Sequence, residues 1–287
     1  MRLIKMTGGL GNQMFIYAFY LNMRRRFPNT RIDLSDMVHY NVHNGYEMHR
    51  VFQLPKEEFC INQKVKKVIE FLFFKTILER KQNLDTLEAF RRSYAWPLVY
   101  FKGFYQSERY FSENAEEVRA AFSFRPEQAS AKTRELAEQI KADTLAVSLH
   151  VRRGDYLKPK FWENAGCLCG VPYYRRAIAE IRRRTGEAHF YVFSDDPEWC
   201  ANLPLDETAV FVDWNKKADS WQDMMLMSLC RHNIICNSTF SWWGAWLNNN
   251  PGKTVLAPDR WFVSAPTPHI NSPSWVTVPT DLPKKKA

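Results

Sequence analysis

Short apolar runs alternate along this chain with longer stretches in which apolar residues recur every three or four positions. The short runs predict buried strands, and the longer stretches predict helices that pack by one face. The predicted strands are 3–6, 95–104, 145–149, 189–193, 208–212 and 232–237. The predicted helices are 12–26, 62–92, 113–122, 128–142, 172–184, 219–231 and a last one that begins at 238–239.

Strands that alternate with helices in both halves of the chain predict an α/β fold with two parallel sheets. Pro126 and its polar neighbours mark a boundary between the halves. We therefore expect an N-terminal domain of residues 1–125 and a C-terminal domain of residues 126–256. The proline-rich residues 257–287 are expected to pack back on the first domain, and residues 27–60 are expected to form solvated loops.

A glycine-rich turn, Thr7–Gly11, joins the first predicted strand to the first helix. Glycine allows positive φ angles and a close approach of the backbone to a ligand, and a helix start offers N–H groups to an anion. The turn is not a dinucleotide fingerprint, because Met14 stands where that pattern requires glycine or alanine. The residues leave open both an anion cradle at Gly11 and an ordinary structural turn.

Two arginines and a carboxylate, Arg152, Arg153 and Asp155, follow the predicted strand 145–149. Ligands of open α/β sheets bind at the carboxyl ends of strands, and the guanidinium fork matches phosphate oxygens. The same residues are compatible with a structural ion cluster in which Asp155 pairs with the arginines. Both interpretations stay open on chemistry alone.

Two further strand ends carry polar groups. Ser238 and Thr239 stand at a strand-to-helix turn, where a hydroxyl cap leaves N–H groups for a phosphate; a plain cap beside buried tryptophans explains the residues equally well. Asp195 and Asp196 suggest a metal, but Pro197 favours a capped helix start. The adjacent aspartates also lack the Asp-x-Asp spacing of a metal motif.

Four blocks of this sequence, taken in order, resemble the motifs of bacterial α-1,2-fucosyltransferases. The blocks are 8–15 (GGLGNQMF), 150–155 (HVRRGD), 191–196 (YVFSDD) and 237–247 (NSTFSWWGAWL). The resemblance implies two facing Rossmann-like domains of the GT-B type and no metal requirement. It also implies a GDP-fucose donor and a galactose-terminated oligosaccharide or lipid-linked glycan as acceptor, joined by an α-1,2 linkage with inversion.

The resemblance also implies roles for individual residues. Arg152 would neutralise the β-phosphate as GDP departs, and Asn12 would lie near the donor phosphates and the reacting carbon. The candidate base for the acceptor hydroxyl is Glu163, with Asp155 as the nearer alternative. The residues implied to bind the nucleotide are His150 and Asp223 for guanine, and Ser238, Thr239 and Phe240 for the pyrophosphate.

Composition and charge limit the other classes of function. The chain has 287 residues, 45% of them hydrophobic, and a formal charge of +9, which suits a globular protein with acidic ligands. The basic residues are not interleaved with aromatics as in nucleic-acid motifs, so we expect no nucleic-acid partner. The basic helix 62–92 allows at most peripheral membrane contact.

The location of the protein also follows from these patterns. The apolar run at the start of the chain is too short for a signal peptide, and no run reaches the length of a membrane span. The six cysteines are scattered, as reduced thiols are. We therefore expect a cytoplasmic protein that contacts the inner face of the membrane at most peripherally.

Overall fold

The structure, a computed structural model, describes residues 1–38, 40, 43–55, 58–59, 71, 75–78, 98–158, 169–263 and 269–280. The chain divides into two compact units, Met1–Arg125 and Pro126–Ala287. Each unit contains a parallel sheet. The predicted α/β class with parallel sheets is therefore confirmed.

The first unit is built on a five-stranded parallel sheet of order β3-β2-β1-β5-β4. Its strands are β1 (Arg2–Lys5), β2 (Thr30–Asp33), β3 (Glu58–Phe59), β4 (Lys75–Leu78) and β5 (Val99–Lys102). Its helices are α1 (Leu10–Arg26), α2 (Met48–Val51) and α3 (Ala115–Ala121). Helix α1 starts directly after the glycine turn, and every residue from Gln13 to Met23 is buried.

The long buried stretch of α1 explains why it forms the centre of this unit. Apolar side chains all around a helix indicate that it is enclosed by other elements. The ring of Phe19 stacks on Tyr105 with 4.0 Å between centroids. Arginines occupy only the last turn, at 24–26, where positive charge stabilises the carboxyl end of the helix dipole.

The second unit has a six-stranded parallel sheet of order β11-β10-β9-β6-β7-β8. Its strands are β6 (Ala146–Val151), β7 (His189–Ser194), β8 (Val210–Val212), β9 (His232–Ile234), β10 (Val255–Pro258) and β11 (Val276–Val278). Its helices are α4 (Ala131–Ala142), α5 (Val171–Thr185), α6 (Pro197–Cys200), α7 (Trp221–Leu229) and α8 (Thr239–Leu247). Counted from β6 within the unit, this is the 3-2-1-4-5-6 order of the Rossmann fold.

Strand β6 lies at the centre of this sheet, and all six of its residues are buried. Two neighbouring tyrosines of α5 fix the strand ends around it. The Tyr174 hydroxyl donates to the carbonyl of His150 at 2.8 Å, and the Tyr173 hydroxyl donates to the carbonyl of Ile235. Both bonds satisfy backbone groups where the strands stop. The carboxyl ends of β6 and β9 are thereby held in place.

Three expectations differ from the structure. Residues 255–258 and 276–278 are strands of the second sheet and pair with each other, so these residues belong to the second unit, whereas the prediction placed them with the first. The stretch 27–60 contains β2, α2 and β3, and two of its carboxylates, Asp33 and Glu47, are buried.

The predicted helix 62–92 lies largely outside the described residues. Of its described residues, 71 is helical, whereas 75–78 form a strand that pairs in parallel with β5. Among the described residues, no helix is both long and apolar enough to cross a bilayer.

Candidate functional site

The site of the second unit lies where the strand order reverses, between β6 and β9. These two strands are neighbours in the sheet, yet the chain leaves β6 toward β7 on one side and leaves β9 toward β10 on the other. The loops that follow them therefore separate and open a crevice at the carboxyl edge, which is the place where such sheets bind ligands. The sequence block 150–155 starts in the last two residues of β6 and continues into the loop after it. The block 237–247 starts shortly after β9.

Two ion pairs join the end of β6 to the end of β7. The Nη1 atom of Arg152 lies 3.1 Å from Oδ2 of Asp195, and Nε of Arg153 lies 2.9 Å from Oδ2 of Asp196. The two arginines after β6 thus pair with the two aspartates that follow β7, one carboxylate each. The register of the strands explains this, because His150 pairs with Phe193 and the residues beyond them meet at the same edge.

Asp195 is the acceptor that shapes the loop after β6. Its Oδ1 accepts the N–H of Arg153 at 2.8 Å, and its Oδ2 accepts the N–H of Gly154 at 3.1 Å as well as pairing with Arg152. A Cβ atom at Gly154 would lie 2.8 Å from Oδ2, so any other residue there would displace the carboxylate from its present position. The carboxylate thus fixes both the backbone and one guanidinium group of the loop.

Asp196 caps α6, as the sequence predicts. Its Oδ1 accepts the N–H of Trp199 at 3.2 Å, with Pro197 in the first turn of the helix. The guanidinium of Arg153 lies over the Trp199 ring, 4.4 Å from its centroid. The described parts of the chain contain no group of three His, Cys, Asp or Glu side chains that could hold a metal ion.

His150 is buried at the end of β6, with 7% of its surface exposed. Its Nδ1 lies 3.2 Å from the sulfur of Cys236, and its ring lies 5.8 Å from the Phe240 ring. Burial and the nearby charge of Arg152 lower the pKa of His150 to about 3. The imidazole is therefore neutral at physiological pH and offers hydrogen bonds without charge.

The turn after β9 contains the predicted cap. The Ser238 hydroxyl accepts the N–H of Phe240 at 3.4 Å at the start of α8, while Thr239 and Phe240 are half-buried. The Tyr156 hydroxyl donates to the carbonyl of Asn237 at 2.9 Å. This bond ties the loop after β6 to the turn before α8, so the two blocks form one surface around the crevice.

Asp223 lies in the first turn of α7, a helix that leads directly into β9. Since α7 ends where β9 begins, its first turn lies at the carboxyl edge of the sheet. Helices α7 and α8 pack closely there, because a Cβ atom at Gly244 would lie 2.9 Å from Cβ of Met227. Asp223 precedes Met227 by one turn and Phe240 precedes Gly244 by one turn. Asp223 and Phe240 therefore lie at the same end of the helix pair.

The glycine turn of the first unit is a second polar edge. Gly8 has a φ angle of 84°, and a Cβ atom there would lie 2.8 Å from Cβ of Asn12. Oδ1 of Asn12 accepts a hydrogen bond from Nε2 of Gln106 at 2.8 Å. The NH₂ group of Asn12 is therefore the part of the side chain that can donate at this edge. Gly11 is buried in the first turn of α1.

Gln13 organises this edge, and sequence reasoning missed it. The side chain is fully buried; its Nε2 donates to the carbonyls of Gly8 at 2.8 Å and Gly45 at 2.7 Å, and its Oε1 accepts the N–H of Glu47 at 2.9 Å. The loop that contains Gly45 is thereby anchored to the glycine turn. The ring of His43, a residue with a φ angle of 56°, lies 3.3 Å from a Cβ atom built at Gly9.

The structure brings most of the candidate residues of the second unit to one edge. His150, Arg152, Asp223, Ser238, Thr239 and Phe240 all lie at the carboxyl edge of its sheet. Gly11 and Asn12 belong to the first unit. Glu163 and the side chain of Asp155 lie outside the described residues. Asp195 and Tyr156 were missed as organising residues; the signal for Asp195 was its place two residues after the predicted strand 189–193.

Two parallel α/β units, one with a Rossmann strand order and an arginine at its switch point, define a nucleotide-binding class of fold. The family model of glycosyl transferase family 11 matches residues 2–278, and the chain belongs to this family. It is therefore a glycosyltransferase, and the resemblance inferred from the four blocks is confirmed.

Individual relatives agree with this assignment. The chain is 34% identical to an α-1,2-colitosyltransferase of Escherichia coli over 271 residues, which cover 90% of this chain and 91% of the relative. It is 28% identical to the O-antigen biosynthesis glycosyltransferase WbnK of Escherichia coli, covering 95% and 99% of the two chains. It is 31% identical to galactoside α-(1,2)-fucosyltransferase 1 of Lagothrix lagotricha, covering 65% and 54%.

The fold has a counterpart among solved structures. The α-1,6-fucosyltransferase NodZ, co-crystallised with GDP, superposes with a TM-score of 0.51 and 14% sequence identity. The superposition covers 85% of this chain and 91% of that one. At this identity the likeness concerns the fold alone.

Proposed function

We propose that this chain transfers L-fucose from GDP-fucose to the 2-hydroxyl of a terminal β-galactoside, with inversion to an α-1,2 linkage. The observation that carries the proposal is the placement of Arg152 and the start of α8 at one switch point in a family 11 chain. The relatives named for α-1,2 transfer support the linkage. The acceptor is a galactose-terminated oligosaccharide or a lipid-linked glycan.

The donor pyrophosphate binds at the start of α8. N–H groups in the first turn of a helix attract anions, and here Ser238, Thr239 and Phe240 form that turn. Arg152 neutralises the β-phosphate while the bond to the sugar breaks, because a fixed cation stabilises charge that develops on a leaving group. Its ion pair with Asp195 holds the guanidinium in place at 3.1 Å.

Guanine is held by Asp223 and His150. The Asp223 carboxylate accepts from the N1 and N2 groups of guanine, and the neutral imidazole of His150 binds without adding charge. Burial raises the pKa of Asp223 to about 7, while its hydrogen bond with Asn215 lowers it. The ionised form that accepts both N–H groups is therefore more abundant at slightly alkaline pH.

The acceptor hydroxyl loses its proton to a carboxylate, Glu163 or the nearer Asp155, in a single displacement at the anomeric carbon. Asn12 and Gly11 contribute to donor binding, with Asn12 near the phosphates and the reacting carbon. No step of this mechanism uses a metal.

A second candidate differs only in the sugar. The 34% identity to an α-1,2-colitosyltransferase favours a colitosyl donor as the alternative to a fucosyl donor. Both candidates use the same nucleotide site and the same inversion.

The test is incubation of the purified chain with GDP-fucose and lactose in the presence of a chelator, with released GDP and the linkage of the trisaccharide as the readouts. An α-1,2-fucosylated product supports donor, linkage and metal independence together. No fucosyl product, but transfer from the corresponding colitosyl nucleotide, establishes the second candidate. Absence of both products and of saturable GDP binding contradicts the proposal.

A paired variant tests the role of Arg152. Arg152→Ala should lower turnover by roughly 10²–10³-fold, by analogy with removal of one oxyanion donor. The matched control is Arg182→Ala, because Arg182 is also ion-paired, with Asp206 at 2.8 Å, but lies in the last turn of α5. Equal turnover in both folded variants would remove Arg152 from the mechanism.

A further inference from the structure

A chain of hydrogen bonds that no motif covers ends at Asp223. Nε1 of Trp214 donates to Oγ1 of Thr133 at 3.0 Å, and this hydroxyl donates to Oδ1 of Asn215 at 2.9 Å. Nδ2 of Asn215 then donates to Oδ1 of Asp223 at 2.8 Å. Thr133 is fully buried and Asn215 is 7% exposed, so the chain is largely removed from water.

The donors around the Thr133 hydroxyl favour this direction of the bonds. The indole N–H of Trp214 can only donate, and the hydroxyl of Ser130 lies 3.0 Å from Oγ1 of Thr133 as a second donor. The Thr133 proton is therefore directed to the carbonyl oxygen of Asn215. This sets the orientation of the amide, so its NH₂ group faces Asp223 and the carboxylate must accept.

Asp223 is an unusual end for such a chain. Burying a carboxylate is costly unless a cation pairs with it, and no ion pair to Asp223 occurs within the described ranges of the chain. One oxygen is held by a neutral amide at the carboxyl edge of the sheet. A carboxylate held in this way suits a neutral ligand that presents N–H groups.

We propose that Asn215 and Thr133 are positioning residues that orient the Asp223 carboxylate and thereby set the nucleobase selectivity of the donor site. The base selected is one that presents two adjacent N–H groups to the carboxylate, as guanine does. This inference rests on the proposed function, since it concerns the same donor. Trp214 completes the chain by directing the Thr133 hydroxyl toward Asn215.

The test compares binding of GDP and inosine diphosphate, which lacks the N2 amino group, by titration calorimetry on the full chain. We expect the native chain to prefer GDP by about ten- to a hundred-fold, the effect of one hydrogen bond to a charged group. Thr133→Val keeps the side-chain volume and removes the hydroxyl. It should weaken GDP binding and bring the ratio of the two affinities close to one, and Asn215→Ala should do the same.

Three further variants separate positioning from stability. Thr133→Ser retains a hydroxyl and should restore the native ratio. Thr185→Val is the matched control, because the Thr185 hydroxyl donates to the carbonyl of Ile181 at 2.9 Å in the last turn of α5. Asp223→Asn should abolish the preference. A loss of packing alone would weaken both nucleotides equally and leave the ratio unchanged.

The outcomes separate the positioning role from the donor site itself. A native ratio in both Thr133→Val and Asn215→Ala, together with a lost preference in Asp223→Asn, would overturn the positioning role and keep the donor site. A native chain that binds neither nucleotide would contradict the proposed function and this inference together. The inference would be supported if the ratio of the two nucleotide affinities is near one in both Thr133→Val and Asn215→Ala and is native in Thr133→Ser.

Discussion

Replacement of Asp195 by asparagine tests how the loop after β6 is held. The native carboxylate accepts the backbone N–H groups of Arg153 and Gly154 and pairs with Arg152. Asparagine keeps one oxygen for the N–H of Arg153. Its NH₂ group, however, would face the N–H of Gly154 and the Arg152 guanidinium, which are both donors.

The magnitude follows from the two interactions that the NH₂ group cannot make. A hydrogen bond to a charged group contributes about 1.5–3 kcal/mol, and the Asp195 side chain is 25% exposed, so solvent screening reduces the ion-pair part. We expect Asp195→Asn to lower the free energy of unfolding by about 1–3 kcal/mol and Tm by about 2–10 °C. With Arg152 in its proposed role, turnover should fall by about 10–100-fold, because its guanidinium would be displaced from the leaving phosphate but would stay in the site.

The adjacent residue supplies the matched control. Asn is as good a cap as Asp, and the Asp196–Arg153 pair is part-exposed and contributes about 0–1 kcal/mol. Asp196→Asn should therefore change Tm little and leave turnover close to native. Thermal unfolding and steady-state turnover are measured on both variants. If the two variants behave alike, Asp195 does not organise the loop and the reasoning is refuted.

Three further predictions concern packing and pH. Gln13→Leu should lower the free energy of unfolding by several kcal/mol, at about 1–3 kcal/mol for each buried partner left unsatisfied. A loss of less than about 1 kcal/mol in a denaturant titration would contradict this prediction. Gly244→Ala should cost about 1–3 kcal/mol by overpacking Met227, whereas Gly170→Ala, with ordinary contact distances, should cost less than about 1 kcal/mol; equal costs would refute the packing argument. The folded pKa of His150 is about 3, below its value of 6.5 in the unfolded chain, so the unfolded chain binds the extra proton between these values and stability falls as pH drops through that window. His150→Gln should remove about 1.4 kcal/mol per pH unit of that slope, and an unchanged slope would show that His150 is not buried as a neutral group.

Local patterns predicted most elements correctly where the pattern period was clear. The predicted strands near residues 147, 190 and 233 are β6, β7 and β9, and the predicted helix 172–184 is α5. The strands are short continuous apolar runs and the helix repeats its buried residues every three or four positions, and the order of residues alone reveals both patterns. The capped helix start at Asp196 was also predictable, because an N-cap is decided by neighbours within three residues.

Predictions failed where distant partners decide the structure. The strand at 75–78 forms because β5 lies beside it, and the residues of the segment contain no pattern that predicts this pairing. The C-terminal segment was assigned to the wrong unit for the same reason, since β10 and β11 pair within the second sheet. Proline and polar residues there give a weak strand pattern.

The class of fold, the positions of the motif blocks and the charged residues at the end of β6 could all be predicted, because they depend on residue type and short-range spacing. Packing of the whole unit, in contrast, makes β6 and β9 neighbours at a switch point, pairs Arg152 with Asp195, and brings Thr133 and Asn215 to Asp223. Strand order and side-chain pairing across tens of residues follow from packing the whole unit. No local pattern encodes them.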